Sequence, residues 1–350
     1  MTDHVHRAVS SQANRREFLS IGTVGLVSMS FSGSADAMTR KGIFRRRGPA
    51  VHTAKRGNPA VIVGEKEHRY EVQHDWPQLP DKFSWQTTHN VAVDESGNLY
   101  VIHEGDRKLA DHPSIFVFDP EGRFIRSFGS EFQGGGHGLE IRREPDGEFL
   151  YVTGYQHLKN FAKYDLEGER VWMQRAPMES GIYAEGEHQA TTGRWGRDRF
   201  MPTNFAFLPD GGFMLADGYG TFTIHRYDAD GKWMATFGAP GKADGQFNLP
   251  HGLWLDDRQQ EPLVVVADRV NGRLQWFDLE GVHKKTLDGF ILPANCDVHE
   301  DVLLVPDLSA RITLLDKENR PLVHLGEDPE WREAVLKDGM ALRTRPDDWQ

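Results

Sequence analysis

A single cysteine, Cys296, stands in 350 residues. It forbids an intramolecular disulfide and any cysteine-rich zinc site, so a metal, if one is bound, falls to histidine and carboxylate ligands. No run of 18 or more apolar residues is present, which excludes a permanent membrane-spanning helix. Positive charge is in deficit, with 41 Lys and Arg against 52 Asp and Glu and a net charge of -11. That balance argues against nucleic-acid binding. Proline is ordinary at 18, glycine reaches 36, and 38% of residues are hydrophobic. This composition excludes collagen-like and largely disordered chains and leaves a globular one. The length suggests two domains, yet all-β barrels and propellers of this size can form one.

Asn14-Arg15-Arg16-Glu17-Phe18-Leu19-Ser20 sets two arginines before a moderately apolar run from Phe18 to Phe31, which leads to Ala35-Asp36-Ala37. The pattern resembles a twin-arginine signal peptide over residues 1–37. It predicts cleavage after Ala37, export by the Tat machinery, and a periplasmic or secreted protein. Residues 38–58 read as a basic flexible linker, whose stretch 38–56 holds seven basic and no acidic residues. The domain that follows is therefore more acidic than the whole chain.

Within residues 59–326 one unit recurs five times. It comprises a short apolar strand, a second ending in small or acidic residues, a third running into Asp-x-x-Gly or Asp-x-x-Asn, and a fourth. The third strands end at Asp119, Asp165, Asp228, Asp278 and Asp316, at intervals of 46, 63, 50 and 38 residues. Glycine or asparagine supplies positive φ in the turn, and aspartate caps it through its side chain. A four-stranded unit cannot cover both its faces alone, but radial stacking covers them against its neighbours. The fold class is therefore all-β, a β-propeller. A lone strand at Tyr70-Glu71-Val72 precedes the repeats. After them come a strand at Leu322 to Leu325 and a helix around Trp331 to Lys337. Residues 327–350 lead toward a last blade that is incomplete.

The first strand of each blade lines the channel, so equivalent positions on different blades meet near the axis. One such column reads His89, His137, Thr203, His251 and Ala294. Converging neutral imidazoles suit Zn²⁺ or a similar ion, or serve as hydrogen-bonded channel histidines. The next position gives Asn90, Asn204 and Asn295. A column at the end of the second strands gives His103, Gly154, Asp217, Asp268 and Asp307, whose aspartates either ligate an ion or bind backbone amides of the adjacent loop. Just beyond it, Tyr219 lies on a glycine-flanked loop and Arg269 on the next blade. A tyrosine with a lowered pKa can act as a base, and an arginine suits a carboxylate. The longest insertion, Arg175 to Arg199, is rich in charge, glycine and histidine.

The runs 216–220 (ADGYG), 245–256 (GQFNLPHGLWLD) and 267–278 (ADRVNGRLQWFD) resemble the NHL-repeat, six-bladed propeller of peptidyl-α-hydroxyglycine α-amidating lyase and its bacterial relatives. The resemblance spans roughly residues 64–326. It implies a central zinc or other divalent metal held by histidines of three alternate blades, beside a tyrosine and arginines, and it leaves room for a structural Ca²⁺. Carried across, His137 and His251 match two metal ligands, Tyr219 the tyrosine and Arg269 the arginine. The family's third histidine lies in a sixth blade and would fall beyond Gln350, leaving His89 as the substitute. Where the animal enzymes carry an arginine after the first copy's second strand, this chain has His103-Glu104-Gly105.

The expected function is an exported metal-dependent enzyme similar to peptidylamidoglycolate lyase, acting as a monomer on a small molecule or peptide. The metal polarises a substrate oxygen, Tyr219 or metal-bound hydroxide removes a proton, and Arg269 steadies an anionic group. Two alternatives stand beside it. One is a propeller lactonase or esterase, often Ca²⁺-dependent, which an Asn or Glu cluster at the axis would favour. The other is a non-catalytic NHL-repeat binding module with an aromatic patch drawn from Trp172, Trp195, Trp233 and Trp254.

Overall fold

The computed structural model describes residues 61–73, 76–109, 111–189, 193–334 and 337. Residues 1–60, on which the expected twin-arginine signal and basic linker fall, and residues 338–350 lie outside the described residues. A hairpin of β1 (Val61–Val63) and β2 (Tyr70–Val72) comes first. Blade 1 is β3 (Thr88–Val93), β4 (Leu99–His103), β5 (Ile115–Phe118) and β6 (Phe124–Phe128). Blade 2 is β7 (Gly136–Glu144), β8 (Gly147–Gly154), β9 (Asn160–Asp165) and β10 (Arg170–Gln174). Blade 3 is β11 (Phe205–Phe207), β12 (Phe213–Asp217), β13 (Thr223–Tyr227) and β14 (Trp233–Phe237). Blade 4 is β15 (Pro250–Asp256), β16 (Leu263–Asp268), β17 (Arg273–Phe277) and β18 (His283–Asp288). Blade 5 is β19 (Asp297–His299), β20 (Val302–Asp307), β21 (Arg311–Leu315) and β22 (Pro321–Leu325). Each blade is an antiparallel meander, and the inner strands of consecutive blades from β3 to β19 lie side by side. This is a β-propeller.

The repeated turn forms as its chemistry requires. Gly122, Gly168, Gly231, Gly281 and Asn319 all take positive φ, between 63° and 98°. The aspartate three residues earlier accepts backbone amides through Oδ1, as Asp228 does from Asp230 and Lys232. Same-face apolar residues of neighbouring blades then pack in layers. Ala92, Tyr100 and Val117 of blade 1 share one core with Leu139, Leu150 and Val152 of blade 2, and Val265 and Trp276 of blade 4 share another with Leu303 and Val305 of blade 5.

A six-bladed ring was expected, with five full repeats in this chain and the last blade incomplete. The described residues hold the five four-stranded blades and, rather than a sixth, the two-stranded hairpin. The reason lies in what the N-terminal segment covers. Val63 and Tyr70 pack on Leu304, Leu314, Val323 and Leu325 of blade 5. Trp76, Leu79 and Phe83, a few residues on, pack against Val91, Phe116 and Phe118 of blade 1. The segment therefore spans from the last blade to the first and shields apolar faces that a full blade would otherwise cover. Residues 329–334 are helical, and Asp328 Oδ1 caps the turn at Trp331 N at 3.0 Å. Among the described residues no helix is long and apolar enough to cross a membrane.

Candidate functional site

All three column histidines sit in register breaks at the start of an inner strand. The pairing of β3 with β4 shifts between Thr88 and Asn90, that of β7 with β8 between Gly136 and Leu139, and that of β15 with β16 between Pro250 and Leu253. A bulge re-aims the side chain it carries. It also resets the two-residue alternation, so that His137 and Glu140, three apart on β7, both reach partners on other blades. Glycine follows two of the histidines for a steric reason. A Cβ on Gly138 would stand 2.2 Å from Thr203 O, and one on Gly252 2.1 Å from Asn295 Oδ1. The approach to His251 is also strained, with Leu249 at φ 68°.

The Asp column holds this geometry in place by binding backbone amides. Asp217 Oδ1 accepts Met201 N at 2.7 Å, Asp268 Oδ1 accepts Asn248 N at 2.7 Å, and Asp307 accepts Ile291 N and Leu292 N at 2.7 and 3.1 Å. These amides belong to the loops that lead into the histidine column.

Column residues without an imidazole serve their neighbours. His137 Nδ1 lies 3.0 Å from the carbonyl of Thr203, and His251 Nδ1 lies 2.7 Å from that of Ala294. A carbonyl only accepts, so each Nδ1 carries the proton and each Nε2 presents a lone pair. Both Nε2 atoms face one oxygen, the Tyr219 hydroxyl, at 3.3 and 3.0 Å. That hydroxyl also accepts Arg269 Nη1 at 3.3 Å. One phenolic proton can satisfy only one of two lone pairs, so the other lacks a donor. Burial holds both imidazoles well below their ordinary pKa, and the positive charge of Arg269 pushes the same way. Both are therefore neutral, the form that ligates metals.

His89 stacks beside His137 with ring centroids 4.5 Å apart, but its Nε2 turns toward Glu104 Oε2 at 3.5 Å and has no hydrogen-bond partner. Among the described residues, no three His, Cys, Asp or Glu side chains already converge as a metal shell. The donor set nevertheless fits a divalent ion: two carbonyl-oriented imidazoles aim their Nε2 lone pairs at one point, where a single phenolic proton can satisfy only one of them, with a third imidazole alongside. The tyrosine departs from expectation. Burial pushes the Tyr219 phenol above its usual range while Arg269 opposes the rise, so without added positive charge the group is a neutral phenol. Arg269 is 7% exposed, its Nε has no partner, and among the described residues it forms no ion pair. A buried guanidinium in that state is a ready site for an anion.

Sequence reasoning missed part of the surround. Tyr155 packs against His137, His89 and Tyr219, and its hydroxyl accepts Gln156 Nε2 at 2.9 Å. Glu104 accepts the same Gln156 amide at 2.5 Å. Both residues directly follow members of the second-strand column, His103 and Gly154, which is the signal that would have found them. Of the four tryptophans, Trp172 and Trp233 join one aromatic core and Trp254 another, while Trp195 lies against Tyr219 and Tyr155. They form no shared patch.

On the same inner strands lies a second polar cluster. Glu140, 4% exposed, accepts the amides of Asn90 and Asn204 at 3.2 and 2.7 Å, and Asn204 also donates to Asn295 Oδ1 at 3.2 Å. Burial raises the Glu140 pKa to about 8 and that of nearby Asp297 to about 7. The asparagine column thus meets at a carboxylate that the sequence reading did not single out.

No family model matches the chain. A probable peptidyl-alpha-hydroxyglycine alpha-amidating lyase of Caenorhabditis elegans is 27% identical over 206 residues, covering 53% of this chain and 54% of that protein. Peptidyl-alpha-hydroxyglycine alpha-amidating lyase 1 of Drosophila melanogaster is 25% identical over 244 residues, covering 63% of this chain and 42% of that protein. The chain spans about half the length of these relatives. Solved structures of similar shape include a streptogramin B lyase, at a TM-score of 0.48 and 13% identity over 75% of this chain and 74% of that one. Another is a virginiamycin B lyase from Staphylococcus aureus with quinupristin, at 0.47 and 12% over 73% of each. The sequence similarity to these two amidating lyases is distant.

Proposed function

We propose that the chain is an exported, divalent-metal-dependent lyase that cleaves an α-hydroxyglycine-like group from a peptide or small molecule. The observation that carries this reading is the convergence of the His137 and His251 Nε2 lone pairs on the Tyr219 oxygen, beside the Arg269 guanidinium, which forms no ion pair among the described residues. A divalent ion such as Zn²⁺, when bound, supplies Lewis acidity to a substrate oxygen. His137 and His251 hold it, with His89 the nearest further imidazole. Arg269 binds the substrate carboxylate and fixes its orientation. Tyr219 stands where the substrate hydroxyl loses its proton. The atoms balance: the hydroxyl proton passes by way of the Tyr219 phenol to the departing amide nitrogen, the hydroxyl oxygen forms a carbonyl, and the C–N bond breaks. Products are an amide and a two-carbon oxo acid. The twin-arginine leader of residues 1–37 directs export in this reading.

The test is elemental analysis of the purified protein alongside the double variant His137→Ala with His251→Ala. Close to one equivalent of transition metal in the parent and less than a tenth in the variant supports the reading. An equally low content in both overturns it.

A second reading, a Ca²⁺-dependent lactonase or esterase, is favoured by the Glu140 cluster, since carboxylate and amide oxygens are hard-cation donors. It requires the amides that now donate to Glu140 to turn their oxygens inward. Ester hydrolysis abolished by a calcium chelator and by Glu140→Gln would support it. The same cluster would supply the oxygen donors for the structural Ca²⁺ expected from the sequence, given that same turn of the amides.

A further inference from the structure

The insertion between blades 2 and 3 is tied to the body by buried polar anchors. Glu187, 1% exposed, accepts Lys159 Nζ, Arg199 Nη1 at 2.9 Å and Phe200 N at 3.0 Å. Lys159 is itself fully buried, so the pair is strongly specified once formed. Tyr183 Oη donates to Asp217 Oδ2 at 2.9 Å, the carboxylate that also fixes the loop before Thr203. Arg197 donates to Gly220 O and lies over the Phe222 ring at 3.5 Å. Two residues from that last anchor, the Trp195 indole packs edge-on against Tyr219 with centroids 5.3 Å apart and against Tyr155 at 6.4 Å. Tyr155 and Tyr219 lie 5.1 Å apart, and both pack against His137. Trp195 is 39% exposed, an indole held at the site with much of its surface uncovered.

Resting on the lyase reading of this site, we infer that Trp195, with Tyr155, forms the subsite for an apolar, preferentially aromatic side chain on the residue that precedes the reacting glycine-derived unit. Two points of the substrate are already placed. Its carboxylate belongs on Arg269, and its reacting carbon at the imidazole nitrogens. Both points touch Tyr219, and Trp195 packs on that same ring. The remaining substituent is therefore within reach of the indole. An exposed indole bordered by a phenol ring offers edge and face contacts to another ring, which add to the gain from apolar burial. Arg197, the nearby cation, is already committed to Gly220 and Phe222. A substrate bearing an acidic side chain finds no free partner in it.

The test is calorimetric binding of three glycine-extended probes to the full chain as purified: N-acetyl-phenylalanyl-glycine, N-acetyl-alanyl-glycine and N-acetyl-lysyl-glycine. The parent should bind the phenylalanyl probe about tenfold more tightly than the alanyl probe, the scale of one ring's burial. Trp195→Ala should reduce that preference below threefold, and Trp195→Phe should keep most of it. Arg269→Gln should weaken all three probes by a similar factor. A preference unchanged in Trp195→Ala, or strongest binding of the lysyl probe, overturns the subsite while the weakening by Arg269→Gln leaves the lyase reading in place. Failure of Arg269→Gln to weaken any probe, or no binding to the parent, overturns the lyase reading and the subsite with it.

Discussion

Two polar clusters sit on the same inner strands, and they differ in what they leave unsatisfied. Around Glu140, the amides of Asn90 and Asn204 point inward and end on the carboxylate, binding blades 1, 2 and 3 together, with Asn295 of blade 5 joined through Asn204. Around Tyr219 the opposite holds. Two imidazole lone pairs face one hydroxyl, His89 Nε2 and Arg269 Nε have no hydrogen-bond partner, and among the described residues the buried Arg269 guanidinium forms no ion pair. Buried groups that find partners within the fold stabilise it, whereas buried groups left without partners cost stability and persist where a ligand completes them. The first cluster is built to hold blades together, the second to receive something.

The strongest way to break this contrast is at the imidazoles. His137→Ala with His251→Ala should lower turnover of an α-hydroxyglycine substrate by at least about 10³-fold, an effect on the scale of losing a metal centre. Folding should be retained, because the apolar cores that join neighbouring blades include neither ring. Steady-state kinetics with circular dichroism checks both halves, and retained turnover would place the reactive centre elsewhere. Next comes Arg269→Gln. It should reduce kcat/KM by about 10²-fold, in the range for removal of one charged donor. The same change should leave the melting temperature equal or higher, because it removes a buried unpaired charge. A variant that loses stability and keeps its kinetics would show Arg269 to be structural.

At the other cluster, Glu140→Ala should cost stability, by about 3 kcal/mol, since it strips the acceptor from buried amides. Turnover per folded molecule should change little. Denaturant titration gives the first quantity and active-site-normalised kinetics the second.

How far these clusters were legible follows from the periodicity each obeys. The propeller was readable because its turn, Asp-x-x-Gly or Asp-x-x-Asn, is local chemistry repeated five times. His89, His137 and His251 were readable because they share one column, but the bulges that aim them are not visible in the residues themselves. Glu140 was passed over since the column three places after the histidines reads Ala92, Glu140, Ala206, Trp254 and Asp297. Carboxylates in a channel-lining column that otherwise holds Ala and Trp were its signal. Trp195 was grouped with the other tryptophans because an insertion has no register, and its placement depends on Glu187 and Lys159 meeting across 28 residues. The five repeats match the five four-stranded blades, while the sixth blade was expected from the resemblance alone, and the two-stranded hairpin against blade 5 carries no repeat that would have replaced it.

The smallest effect sharpens the comparison through pH. Burial raises the Glu140 pKa from 4.5 to about 8 and the Asp297 pKa from 3.8 to about 7. Both folded values lie above the unfolded ones, so the protonated native state is favoured at low pH. The stability these groups contribute is fully present below their unfolded values and is lost as pH rises through about 7 and then about 8. The melting temperature should therefore fall between pH 5 and 8.5 by more in the parent than in Glu140→Gln, whose amide keeps the shape of the side chain without the charge. At pH 8.5 the variant should melt above the parent, by about 2 °C for a chain of this size. The difference between the two melting curves isolates Glu140 from every other titrating group. A difference that does not vary with pH would mean that the amides around Glu140 stabilise its carboxylate as well as they stabilise its acid, and the cluster would then be a charge-holding site like the one around Tyr219.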